Sequence, residues 1–165
     1  PSCAACCRCC LMARPISGAR PRPLEIGAAC RTRVSDELNP GALPGTVFWT
    51  AARSGRDKLT LIASPGISAL GAWLEQLVAE STGKQGKGIV PVDREDLGPT
   101  EVYGNDRMFA YVRLESAPDK AQDARVAALE QAGQPVVRIP LGDIYDLGQE
   151  FFRWQIATAI VGSIT

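Results

Sequence analysis

An α/β fold, three layers deep with a parallel sheet flanked by helices, is what the sequence predicts. Three observations lead there. From Asp57 to the end, short β-favouring runs alternate with stretches of helical period. The connections between them are short. The first run is short, largely apolar and β-favouring, as expected of a buried strand.

"DKLTLIAS" (57–64) is such a strand, ended by "PG". In "SALGAWLEQLVAES" (68–81) Leu70, Trp73, Leu74, Leu77 and Val78 fall at i, i+3, i+4, i+7 and i+8. That spacing predicts a helix with one buried face, and Ser68 is the candidate N-cap. "GIVPV" (88–92) is a second strand, followed by a polar connection over 93–106, and "MFAYVRL" (108–114) is a third. "DKAQDARVAALEQAG" (119–133) reads as an amphipathic helix with Val126 and Leu129 on its apolar edge and Gly133 at C′. A fourth strand, "PVVRIPL" (135–141), precedes a final helix, "LGQEFFRWQIATAIVGSI" (147–164), which is apolar around much of its circumference. Phe151, Phe152, Trp154, Ile156, Ile160 and Val161 on that helix suggest a surface awaiting a partner.

Residues 1–45 read as an irregular, proline-rich leader with no sustained period, leaving 46–165 as the folded part. All six cysteines (Cys3, Cys6, Cys7, Cys9, Cys10 and Cys30) lie in that leader, so the body is no disulfide scaffold. Their thiolates could hold a soft metal, but there are no paired CxxC modules and the chain has no histidine. The alternative is a disordered leader, or residues that do not belong to the natural domain at all.

The 165 residues make one domain. Eighteen basic and eighteen acidic residues cancel, which gives no reason to expect nucleic acid or a membrane surface as partner. No window approaches the ~20 apolar residues that span a bilayer, and the opening lacks the order of a signal peptide. A cytoplasmic location is the default expectation.

In such sheets ligands gather beyond the carboxyl ends of the strands, here at "SPG" (64–66) and around "PVDRED". A second candidate is "AESTGK" (79–84). Glu80 lies about 20° around the helix from Trp73, seven positions earlier, which predicts a place along the buried stripe. It also falls in the last turn, where the helix dipole disfavours a carboxylate. Burial and dipole together would favour its neutral form, and such a carboxyl can take a proton from carbon. The competing reading is an ion pair with Lys84, one turn on. In "STGKQGKG" the glycines could let backbone N–H groups approach an anion, with Lys84 and Lys87 adding charge. This is no Walker loop, because the lysine is followed by Gln85 and the loop leaves a helix. A solvated basic turn is the plainer alternative.

"GAWLEQLVAESTGKQGKGIVPV" resembles bacterial glucose-6-phosphate isomerases, most closely the isomerase half of bifunctional transaldolase/glucose-6-phosphate isomerase proteins. "GRDKLTLIASPGI" and "AGQPVVRIPLGDIYDLGQEFFRWQIATAI" match in the same order, so the resemblance runs from about Asn39 to Thr165. It implies a sugar-isomerase (SIS) subdomain that binds phosphosugars. It also implies Glu80 as the base that moves a proton between C1 and C2 of the open-chain sugar, through a cis-enediolate. Ser81, Gly83 and Lys84 take supporting, substrate-side places in the same motif. No metal or organic cofactor is implied.

Departures from the family set further expectations. Residues 1–56 hold no "GGR.S" segment, nothing corresponds to the phosphate-gripping loop of the earlier subdomain, and no "NPFDQPNV…K" stretch follows 147–164. The histidine that opens the sugar ring in many members is absent, and Gln155 stands where a glutamate is expected. The resemblance therefore implies an incomplete isomerase that pairs as a homodimer or with the missing part of the same enzyme. The alternative is a phosphosugar-binding module without catalysis.

Overall fold

The computed structural model describes residues 39–84 and 86–164. The leader's first 38 residues, and with them every cysteine, lie outside that range. Four strands form one sheet: β1 (Lys58–Ala63), β2 (Val90–Asp93), β3 (Arg107–Leu114) and β4 (Val136–Leu141). Their order is β2-β1-β3-β4, and every neighbouring pair is parallel. Parallel strands need crossovers, which here are helical on both sides. β1 reaches β2 through α2 (Ala69–Thr82), and β3 reaches β4 through α3 (Lys120–Gln131). Chain direction across the sheet reverses between β1 and β3, the arrangement that opens a crevice at the strand ends.

Side-chain alternation along the strands separates two cores. Leu59, Leu61, Met108, Ala110, Val112, Ile139 and Leu141 face one side. They meet α2, α1 (Ala42–Arg53) and α4 (Leu147–Ile164) through Leu74, Val78, Phe48, Trp154 and Val161. On the other side Ile62, Phe109, Tyr111 and Val136 meet α3, which buries only Val126 and Leu129. The result is the expected three-layer α/β fold. No helix among the described residues is long and apolar enough to cross a membrane.

The thin layer, α3, is held by polar contacts as well. Asp119 caps it, its side chain accepting from the N–H groups of Ala121 and Gln122 at 2.9 and 3.0 Å. The Asp123 carboxylate accepts from Arg113 Nε at 2.8 Å, from Arg113 Nη2 at 3.0 Å and from the Tyr111 hydroxyl at 2.9 Å. Arg113, and then Tyr111, hold the Asp123 carboxyl below the usual carboxylate range. Burial, and then Asp123, push the Tyr111 phenol up to about 12. Gly133 follows the helix at φ +83°, as its expected C′ place requires.

Three local expectations change. The boundary placed at residue 45 falls inside α1, whose first residue is Ala42. Asn39, itself buried, starts it by accepting from the N–H groups of Gly41 and Ala42 at 3.0 Å each. Pro44 in the first turn and Gly45 disguise the helix in the sequence, yet both have work to do. Proline is tolerated where the N–H has no helical partner. A Cβ at Gly45 would come within 2.7 Å of the Ala157 carbonyl oxygen, so glycine permits the close approach of α1 to α4. Ser68 does stand at the N-cap of α2, but with helical φ/ψ and no capping hydrogen bond. A 3₁₀ turn, Pro65–Ile67, already winds the chain into the helix there. Finally, α4 is less exposed than its composition suggested. Trp154 and Val161 are buried, Trp154 stacks on Phe48 at 5.4 Å, and Phe151 meets Trp73 edge-on at 4.6 Å.

Candidate active site

The helix end that carries Glu80 is fixed by one buried threonine. The Thr82 hydroxyl donates to the Val78 carbonyl at 2.8 Å and accepts from the Ile89 N–H at 3.0 Å, tying the end of α2 to the start of β2. Between these points Lys84 and Lys87 pair their backbones, each N–H donating to the other's carbonyl at 2.9 Å. Gly86 and Gly88 take φ +75° and +141°, which side chains with a Cβ rarely adopt. A Cβ at Gly88 would also press on the Thr82 carbonyl at 2.7 Å. The N–H groups of Lys84 and Lys87 are thus spent within the turn, and the anion-cradling reading loses those two donors. What the turn offers outward is charge: the Lys84 and Lys87 side chains are exposed.

Glu80 is exposed too, which corrects the expected burial. The buried stripe of α2 runs through Leu70, Leu74, Val78 and Thr82, and an i+4 row drifts by about 40° each step. Measured against Val78 and Thr82 in its own turn, Glu80 lies roughly 160–200° away, on the opposite face. Comparison with Trp73, two turns back, ignored that drift. Nor is the competing ion pair formed: among the described residues Glu80 and Lys84 make no salt bridge with each other. Ser81 is half-buried with its carbonyl against Gly162 of α4, where a Cβ would come within 2.8 Å. Gly83 closes the helix, its N–H donating to Ala79 at 3.1 Å. The structure therefore brings Glu80, Ser81, Gly83 and Lys84 together on one turn that faces solvent.

The other expected location, beyond the strand ends, does hold a cleft of about 340 Å³. It is lined by the ends of β1 and β2, the loop 93–97 and the start of α3. The Asp93 side chain is 7% exposed, with its carboxylate against Gly71. Its charge partner is Arg94 Nε at 3.4 Å. Glu95 is tied down, accepting from Thr60 and from Arg107 at 2.8 Å each. The cleft and the Glu80 turn lie at opposite ends of the strands, the cleft beyond their carboxyl ends and the turn before the start of β2. The turn precedes β2, whose Val90 N–H bonds the Asp57 carbonyl just before β1 begins. Among the described residues no three His, Cys, Asp or Glu side chains are placed to hold a metal ion.

The buried acid is a residue that the sequence reading passed over. Glu150, in the first turn of α4, is 2% exposed. Burial above all pushes its carboxyl up to about 7; Asp146 adds to the shift while Arg153 and Trp154 oppose it. Oε1 forms an ion pair with Arg153 Nη1 at 3.1 Å, and Oε2 has no hydrogen-bond partner among the described residues. Periodicity could have found it, since Glu150, Trp154, Ala157, Thr158 and Val161 form the buried row of α4.

The fold and turn define a class: a parallel α/β unit that presents an acid and a lysine on one stapled helix end. No protein-family model matches the chain. Glucose-6-phosphate isomerase of Enterococcus faecalis (strain ATCC 700802 / V583) is 26% identical to it over 186 aligned positions. The alignment takes in 90% of this chain, more than residues 39–165 could supply, and so reaches into the leader as well. It takes in 40% of the relative, so the chain spans well under half of that protein's length. The match supports a distant relationship to the isomerase family.

Proposed function

We propose that the chain is the part of an aldose–ketose isomerase that carries its base, interconverting glucose 6-phosphate and fructose 6-phosphate. Glu80 takes the proton from C2 of the open-chain aldose, and the electron pair of that bond forms the cis-enediolate. The same carboxyl then returns the proton to C1 while the hydroxyl proton passes from O2 to O1, leaving the C2 carbonyl of the ketose. Ser81, Gly83 and Lys84 shape the turn, with the Lys84 ammonium available to the substrate's negative charge. A carboxylate and positioned donors suffice, so no cofactor enters.

The observation that carries this reading is the match to an isomerase over 90% of the chain, taken with a Glu80 that stands on a stapled helix end and makes no ion pair with Lys84. A base tied up by Lys84 could not reach a substrate. Exposure sets a condition, however: water has to be excluded before the carboxylate can act on a carbon acid. We assign that covering surface to a second copy of the chain or to a further part of the same enzyme. Exposure of Glu80 also favours a second reading, a phosphosugar-binding module that needs cationic side chains but no shielded base.

A coupled assay on fructose 6-phosphate, run on the unmodified chain and on Glu80→Gln, separates the two. The isomerase reading expects turnover that falls by about 10²–10⁴-fold in the variant. Equal turnover in both removes Glu80 as the base. Absence of turnover in both, together with binding of 5-phosphoarabinonate, establishes the module instead.

A further inference from the structure

Three of the four buried polar atoms that lack a partner among the described residues sit within one turn of α4: Glu150 Oε2, Arg153 Nε and Trp154 Nε1. Buried polar groups are nearly always satisfied, so such a concentration marks a cluster poised between two states. We propose that Glu150, Arg153 and Trp154 form a pH-sensitive latch for the start of α4, packed while Glu150 carries its proton and loosened when that proton leaves to solvent.

The chemistry follows from what each form leaves unpaired. A neutral carboxyl in this pocket keeps Oε1 against Arg153 Nη1 and leaves a single O–H without an acceptor. The carboxylate strands part of a full charge at 2% exposure, which costs far more. Its remaining donors are the unspent N–H groups of Arg153 and Trp154, in the same turn. From its stack on Phe48 the Trp154 indole N–H already acts on the carboxyl without completing a hydrogen bond. The charged groups that act on Glu150 are Arg153 and Asp146. Asp146 is itself held by the Asp143 N–H and by Gln149 Nε2, at 3.0 and 2.9 Å. From α1 and α2, packed along α4, the rings of Phe48 and Trp73 meet this stretch and bring no charge.

The folded chain holds this proton up to about pH 7, whereas the unfolded chain releases it near the ordinary 4.5. The latch's contribution is therefore complete below pH 4.5 and is lost as the pH rises through 7.

Amide hydrogen exchange along Leu147–Trp154, corrected for intrinsic rate and compared at pH 5 and pH 8, tests the latch. Protection in the unmodified chain should fall by a factor on the order of 10² at the higher pH, and Glu150→Gln should show no such fall. The same pH dependence in both overturns the proposal. If the variant does not fold, carbon NMR titration of the Glu150 carboxyl in the unmodified chain decides: a midpoint above about pH 6 supports the latch and one below it overturns it.

Discussion

Glu80 and Glu150 stand on adjacent helices that pack against each other, and their environments are inverted. Glu80, at the end of α2, reads in the sequence as an acid on the apolar face, yet it is exposed and makes no salt bridge among the described residues. Glu150, at the start of α4, reads as one charge among aromatic residues, yet it is almost wholly covered. The difference lies in how a buried stripe moves around a helix. On α2 the i+4 row has turned away from Trp73's side by the last turn, whereas on α4 Glu150 lies on the row that leads to Trp154 and Thr158. A residue's angle has to be measured against its own turn.

The largest effect that would sharpen this contrast is expected from Glu150→Gln. At about 1.4 kcal/mol per pKa unit, relieving the buried charge should stabilise the fold by roughly 3 kcal/mol at pH 8 and by much less at pH 5. Urea unfolding curves at the two pH values measure it, and an equal gain at both would erase the distinction drawn for α4. Next comes Thr82→Val, which keeps the shape but removes the acceptor for the Ile89 N–H and the donor to Val78. A loss of about 1–3 kcal/mol is expected at either pH, since nothing in the staple titrates. Smaller again is Gly162→Ala, where the new methyl meets the Ser81 carbonyl while helix propensity improves; thermal melts should register a net loss of about 1 kcal/mol. Smallest is Glu80→Gln, expected to shift stability by no more than about 0.5 kcal/mol from pH 5 to pH 8. A larger, pH-dependent change would mean that Glu80 has a partner and that the two acids are alike after all.

How much of this was legible depends on the kind of signal. All four strands, α2, α3 and α4 were, because their apolar residues are local and periodic. Gly133 was as well, since a helix end demands a left-handed residue there. α1 was not: Pro44 and Gly45 mimic a loop, and their justification lies in Asn39's side chain and in Ala157, more than a hundred residues away. At the candidate site the turn itself was readable from "AESTGK", with its glycines and lysine. What stayed hidden was the direction in which the Glu80 side chain points and the use of the Lys84 and Lys87 N–H groups on each other. Both are settled by the strand that follows, through Thr82 and Ile89. Asp93's burial was hidden for the same reason, since it depends on Gly71 of a different element.

The carboxylate of Asp123 gathers Tyr111 and Arg113 beneath a helix that commits only Val126 and Leu129 to the interior. Its depressed pKa means that its contribution persists above the ordinary 3.8 and disappears as acid drives the pH down through the lowered value. The opposite layer, made of three helices side by side, relies mainly on hydrocarbon contacts that acid leaves alone. Acidification should consequently peel the molecule from one side, baring the rings of Phe109 and Tyr111 while the other half stays assembled.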